Sequence, residues 1–180
     1  MATDYGRLVI SQLEFYWDVH LRPRLDGLTD DEYFWEPAPG CWSVRPDENG
    51  YFRLDGAAPG VKPEPAPVTT LAWRMVHVAT GISTRTSTFF GGGPEADMFD
   101  PGHLPSELPG TAADALALLD TSYAEWHAAI STADLDQLLG WKGAFFAKEP
   151  MIALVVHINR EVMHHGGEIC LLRDLYRASR

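Results

Sequence analysis

The chain has 180 residues, of which 46% are hydrophobic and 22% charged, with a formal net charge of -11. This length suits one domain over 1–180 with its own core, and the composition excludes wholesale disorder. Fourteen Lys and Arg against 25 Asp and Glu leave no basic footprint for nucleic acid, and the longest apolar run, 151–156, falls far short of the ~20 residues of a membrane span.

The first helix is predicted over 4–26, with Tyr5, Leu8, Val9, Leu13, Tyr16 and Trp17 as its apolar stripe, Pro23 disturbing its last turn and Gly27 as its stop. Thr29 and Glu32 read as a capping box opening one short helical turn. A loop then runs over 37–67, with prolines at 37, 39, 46, 59, 63, 65 and 67. Within it, 42–45 and 51–54 flank Asn49-Gly50, a common hairpin turn pair, so a small hairpin excursion is expected near 42–54.

A second helix is predicted over 68–88, ended by Gly91-Gly92-Gly93. After another loop to Gly110, Thr111 with Asp114 caps a third, whose stripe is Leu116, Leu119, Tyr123, Trp126 and Ile130. The fourth helix starts near Lys148, with Pro150 in its first turn, and reaches about Arg177. Four amphipathic helices without central strands predict an all-α four-helix bundle. Cys41 and Cys170 form no CxxC pair and imply a reducing compartment. With no leader pattern at the N-terminus, the expected location is cytoplasmic.

The chemistry concentrates on the last helix. Its buried seam is Leu154, Ile158, Glu161, His165, Ile169, Leu172 and Tyr176, so a carboxylate and an imidazole one turn apart sit within an apolar stripe. Their side chains start about 5–6 Å apart and can converge on one atom. A bare buried carboxylate is costly, so the pair needs a partner. One reading is a hydrogen-bonded Glu161–His165 pair that only satisfies the core; the other is a metal or acid–base site. On the second helix, His77 lies off the main stripe of Leu71, Met75, Val78 and Ile82, on a side shared with Trp73, Gly81 and Thr84. Periodicity by itself leaves His77 on a polar face, where most lone histidines are solvated; the alternative is that this face lines a polar cavity.

These residues resemble the DinB-like superfamily. The second helix carries a Trp-x3-His-Val-Ala sequence, Trp73 to Ala79, and the last helix carries His165-Gly166-Gly167-Glu168-Ile169, similar to the family's His-Arg-Gly-Gln/Glu-Ile signature. The 33–37 and 40–45 segments look like one branch of the family. The resemblance implies a metal-binding four-helix bundle in which His77 faces the cavity. Most members use three histidines, whereas Glu161 stands here in the first position of the last-helix pair. That departure resembles the mycothiol-dependent maleylpyruvate isomerases and implies His77, Glu161 and His165 as ligands.

Such a triad would hold one divalent metal, Zn²⁺ first, with Ni²⁺ and Fe²⁺ as alternatives, and would leave a coordination position open. His157, Arg160, His164 and Glu168 are candidates to orient the ligands. Arg74, Trp35, Trp42 and Trp141 are pocket candidates, and Arg45 and Lys142 join Arg74 as cations for a thiol's negative groups. The implied function is a transferase or isomerase that uses a low-molecular-weight thiol, mycothiol or bacillithiol, with a small-molecule substrate. The alternatives are a metal-dependent hydrolase with the same triad and a non-catalytic metal- or ligand-binding bundle. Glu161 and His164 also spell the Glu-x-x-His of di-iron bundles, but no second copy exists. His20, His103 and His127 read as surface or capping residues. An exposed apolar side on the first helix would suit a homodimer.

Overall fold

A computed structural model describes residues 3–56, 61 and 63–180; Pro59 of the proline-rich loop lies outside them. Helix α1 (Tyr5–Phe15) opens at Asp4, whose carboxylate accepts from the Arg7 N–H. It continues as a π-helical stretch, Tyr16–Leu21, and a 3-10 turn, Arg22–Leu25, that begins with Arg22-Pro23. The sequence predicted one helix here but not the change of winding. Its cause is the burial pattern: Leu13, Trp17, Leu21 and Leu25 are all buried at four-residue spacing. In an α-helix that spacing drifts by ~40° per step, and the wider π turn brings the side chains back to one side. Tyr5 and Leu8, expected on the stripe, are instead 74% and 49% exposed, and Ile10 is buried in their place.

The short α2 (Asp30–Tyr33) is capped by Thr29 as expected. Glu32 does not complete the box, because its carboxylate turns to Arg173 on the last helix. Strands β1 (Val44–Pro46) and β2 (Phe52–Leu54) pair antiparallel with Pro46 opposite Phe52. The turn between them is thus five residues long rather than two. Asp47 shapes it by accepting from the N–H groups of Asn49 and Tyr51. The hairpin is tied to the bundle: the Trp42 N–H donates to the Val68 carbonyl, the Thr70 N–H donates back to Trp42, and the Thr70 hydroxyl donates to that of Ser43.

Helix α3 (Leu71–Phe90) is capped by Thr70 and stopped by Gly91, whose φ of 113° favours a residue without Cβ. Helix α4 (Ala112–Ile130) is capped by Thr111, and α5 (Met151–Ala178) opens at Pro150. Between α4 and α5 runs a 3-10 segment, Gly140–Phe146, that no sequence signal announced; Ala144 within it holds a left-handed φ of 49°. Helix α3 packs against α4 and α5, and α5 packs against α1. Trp17 closes the bundle by stacking on Tyr123 of α4, with centroids 3.9 Å apart and planes 3° from parallel. Trp17 and Trp126 are core residues, as their spacing implied. The protein is an all-α bundle carrying one small hairpin. Among the described residues no helix is long and apolar enough to cross a membrane, and both cysteines are free thiols.

Candidate metal centre

On α5, the 3.6-residue period turns Leu154, Ile158, His165, Ile169 and Leu172 into the core, and each is buried. Glu161 rides the same seam but remains partly exposed, with its side chain 33% accessible, because it faces a cavity rather than packed side chains. On α3, His77 stacks flat on Trp73 one turn before it, with centroids 4.9 Å apart and planes 15° from parallel. Trp73 is fixed in turn: its indole N–H donates to the Asp55 carbonyl at 2.7 Å, and Trp42 packs on it at a tilt, with centroids 5.9 Å apart. The proline-rich loop therefore braces the wall on which His77 rests.

The α3 and α5 groups meet. Potential ligand atoms of His77, Glu161 and His165 all lie within 4.8 Å of one another. The rings of His77 and His165 are edge to face at 4.8 Å, and His165 Nε2 is 3.3 Å from Glu161 Oε2. Two donors bound tetrahedrally at about 2.1 Å from one ion would be about 3.4 Å apart. The Glu161–His165 separation is already close to that value, and the widest separation need shrink by no more than about 1.4 Å, a rotamer-scale adjustment.

Electrostatics suit a cation. Burial, helped by His165 and Arg74, pushes the His77 pKa down to about 4, so its imidazole is neutral at pH 7 and keeps a lone pair. Among the described residues, neither ring nitrogen of His77 makes a hydrogen bond and Glu161 accepts none. His165 is oriented from behind. Its Nδ1 lies 2.7 Å from Glu168 Oε2 and 3.3 Å from Arg74 Nη1. An Nδ1 hydrogen can serve only an acceptor, so Glu168 takes it and Arg74 is a neighbour rather than a donor. Arg74 instead holds Glu168, with Nε 2.9 Å from the same carboxylate oxygen, in an ion pair too far off line for a good hydrogen bond. The result is a carboxylate–histidine relay that leaves Nε2 facing Glu161 and His77. His164, His165 and Glu168 form a second group of close donors, but all three come from one helix, and His164 is 66% exposed.

The other predicted residues are dispersed. His157 Nδ1 sits 3.7 Å from Glu161 and 2.6 Å from Arg160 Nη2, and Arg160 itself is 3.6 Å from Glu161. Burial holds the His157 pKa below its usual value. Arg45 is taken up by Glu36 and Asp55 on the hairpin, and Lys142 by the Thr88 carbonyl. Trp35 packs on Tyr176, and Trp141 lies in the 3-10 segment beside Lys142. His127 pairs with Glu14 at 2.7 Å, whereas His103, read as a surface residue, is buried against the Ser87 hydroxyl at 3.0 Å.

A small cavity of about 100 Å³ opens beside His77 and Glu161, lined also by Gly81, Arg85 and His157. A larger one of about 720 Å³ shares Arg85 and His157 with it and reaches Met98, Phe99, Phe145 and Phe146. Sequence reasoning missed Arg85, because its run, Ser83-Thr84-Arg85-Thr86-Ser87, looks like a solvated face. The available signal was the series 77, 81, 85, which keeps Gly81 and Arg85 on successive turns above His77.

The sequence profile described as DinB superfamily matches residues 12–169. Comparison with curated proteins and with solved structures finds no match.

Proposed function

The chain belongs to the DinB superfamily, and on that premise we propose that His77, Glu161 and His165 hold one divalent metal ion in a small-molecule enzyme. The observation that carries this reading is the convergence of two imidazoles and a carboxylate from two helices beside a cavity, with the His77 ring, the Glu161 carboxylate and the Nε2 of His165 lacking hydrogen-bond partners among the described residues. A satisfied structural pair would not leave three such groups unfinished.

Each residue has a part. His77 contributes a neutral nitrogen, kept neutral by burial against Trp73. Glu161 contributes the charge that two imidazoles lack. His165 contributes Nε2, its tautomer set by Glu168, while Arg74 pairs with Glu168 and holds it in place. The His, Glu, His set suits Zn²⁺ best, with Ni²⁺ and Fe²⁺ less so. Three protein donors leave a position at which a divalent ion lowers the pKa of a thiol or of water. The presence of Glu161 in the first position of the pair favours the branch that resembles the mycothiol-dependent isomerases, and so a low-molecular-weight thiol as cosubstrate.

Elemental analysis of the purified protein, beside His77→Ala, Glu161→Ala and His165→Ala, tests the reading. About one Zn, Ni or Fe per chain is expected in the wild type. The three variants should lose it while keeping their helical circular dichroism. Equal metal in all four proteins after reconstitution would overturn the triad. Thiol-dependent turnover with a panel of low-molecular-weight thiols then separates a thiol transferase or isomerase from a hydrolase using the same residues.

A further inference from the structure

The 720 Å³ cavity next to the triad has the size of a site for a small organic ligand. Its walls are Met98, Phe99, Phe145, Phe146 and Leu154, with Arg85 at the end shared with the triad's own cavity. Phe145 is 92% exposed at the rim, and Phe99 and Phe146 are about half exposed. Phe99 stands 6.1 Å from Phe145 and 6.5 Å from Phe146 between centroids, so both rings cluster around it at a tilt. Three exposed rings on one opening form an apolar surface that a ligand would cover.

Arg85 is the unusual member. The other arginines drawn into the bundle each have a carboxylate: Arg173 has Glu32 at 2.7 Å, Arg74 has Glu168 at 2.9 Å, and Arg22 has Asp120 at 2.7 Å. Among the described residues Arg85 has none. One of its nitrogens, Nη1, donates to the Thr84 hydroxyl and the Met98 carbonyl, both at 3.0 Å, while Nε is buried without a partner. Its guanidinium lies 5.5 Å from the centre of the Phe99 ring. A ring face attracts a cation but cannot accept charge-assisted hydrogen bonds, so the desolvated charge remains uncompensated. Those two neutral acceptors and the ring fix the guanidinium in place without neutralising it, which is how a cation is kept ready for an anion that arrives from outside.

We propose that this cavity binds a carboxylic acid with an apolar body, its carboxylate on Arg85 and its hydrocarbon part between Phe99, Phe145 and Phe146. The proposal deepens the metal-enzyme reading, on which it rests for its meaning as a substrate site, because Arg85 places the acid beside His77 and Glu161. One guanidinium matches one carboxylate, and Glu149, also on the wall, disfavours a second anionic group. Arg160 lines the cavity too, but it is engaged by His157 and lies close to Glu161. The same carboxylate chemistry occurs in polar thiols, and the aromatic walls select the apolar acid over them.

Isothermal titration of the full chain with 4-phenylbutyrate, its neutral amide and N-acetylcysteine tests this, using wild type, Arg85→Gln and His165→Ala. The wild type is expected to prefer the acid over the amide by about tenfold, the worth of one charge-assisted contact. Arg85→Gln should abolish that preference and leave amide binding intact, and His165→Ala should keep it. The proposal falls if wild type binds acid and amide equally or binds neither at millimolar concentration. It also falls if the preference survives Arg85→Gln but vanishes in His165→Ala, which would put the carboxylate at the triad. Arg85-dependent binding of N-acetylcysteine in place of phenylbutyrate would assign Arg85 to a thiol and overturn the apolar acid. The acid–amide comparison in wild type does not depend on how the variants fold. Metal content of the same samples keeps the two readings apart: a metal-free wild type that still prefers the acid sinks the triad and supports Arg85.

Discussion

Two carboxylate partnerships lie on α5, and they are finished in opposite ways. Toward its C-terminal end, Arg173 is 1% exposed and meets Glu32, itself 4% exposed. Nε and Nη2 of Arg173 donate to the two Glu32 oxygens at 2.7 and 3.2 Å, and the remaining donors reach the carbonyls of Arg24 and Asp26. That cluster is closed, because it fastens the end of the first helical segment and the start of α2 to α5. Two to three turns earlier, Glu161 and His165 face His77 with no comparable completion, and a cavity adjoins them. Both clusters are polar groups on a buried seam, so burial does not separate structure from function. Satisfaction of hydrogen-bonding capacity does.

The closed cluster should fail by unfolding. Arg173→Met leaves the Glu32 carboxylate buried, and breaking such a pair costs about 3–5 kcal/mol. Arg177, 3.8 Å from Glu32, can recover part of that loss, which favours the lower end of the range. Urea denaturation reads the change, and metal per folded chain should stay at the wild-type value. A loss under about 1 kcal/mol would dissolve the contrast, since the Glu32 cluster would then be no more structural than an exposed ion pair.

The open cluster should fail by losing affinity rather than fold. Glu168→Gln keeps the shape of the side chain but removes the charge that sets the His165 tautomer and pairs with Arg74. Removing such an orienting partner typically lowers metal affinity by about 10–100-fold. Competition with a chromogenic chelator measures it. Unchanged affinity together with reduced stability would make Glu168 a partner of Arg74 alone.

The sequence showed the local half of this arrangement. The α5 seam, the Thr111 cap and the Gly91 stop follow from spacing and from residue chemistry within a few positions, and the structure has them where expected. Glu161 and His165 were legible as a pair for the same reason. Helical period left His77 undecided, and the family resemblance supplied the cavity-facing reading. What stayed hidden depends on contacts far apart in the chain. Glu32 looked like half of a capping box because nothing local reveals Arg173, and Arg85 looked solvated because its neighbours are Ser and Thr. The π-helical winding of 16–21 follows the burial of Leu13, Trp17, Leu21 and Leu25 against the bundle, and their four-residue spacing alone also fits an ordinary helix.

The smallest effect separates two neighbouring glycines that look alike in sequence. Gly166 faces the π-helical stretch so closely that a Cβ would sit 2.6 Å from the Tyr16 hydroxyl, while nothing lies within 4 Å of one added at Gly167. Tyr16 donates to the Met163 carbonyl at 3.1 Å, so Gly166 is the gap that lets the π-helical stretch hold α5 just behind the candidate ligands. Gly167→Ala should stabilise the helix by about 1 kcal/mol, the ordinary propensity gain, and raise Tm by about 2–4 °C in a chain of this size. Gly166→Ala has the same propensity gain but must displace the Tyr16 hydroxyl, and the lost hydrogen bond, worth about 0.5–1.5 kcal/mol, cancels it. Equal gains in the two variants, read by calorimetry, would mean that Tyr16 moves freely. The approach of the π-helical stretch would then do nothing to hold the helix on which Glu161 and His165 are mounted.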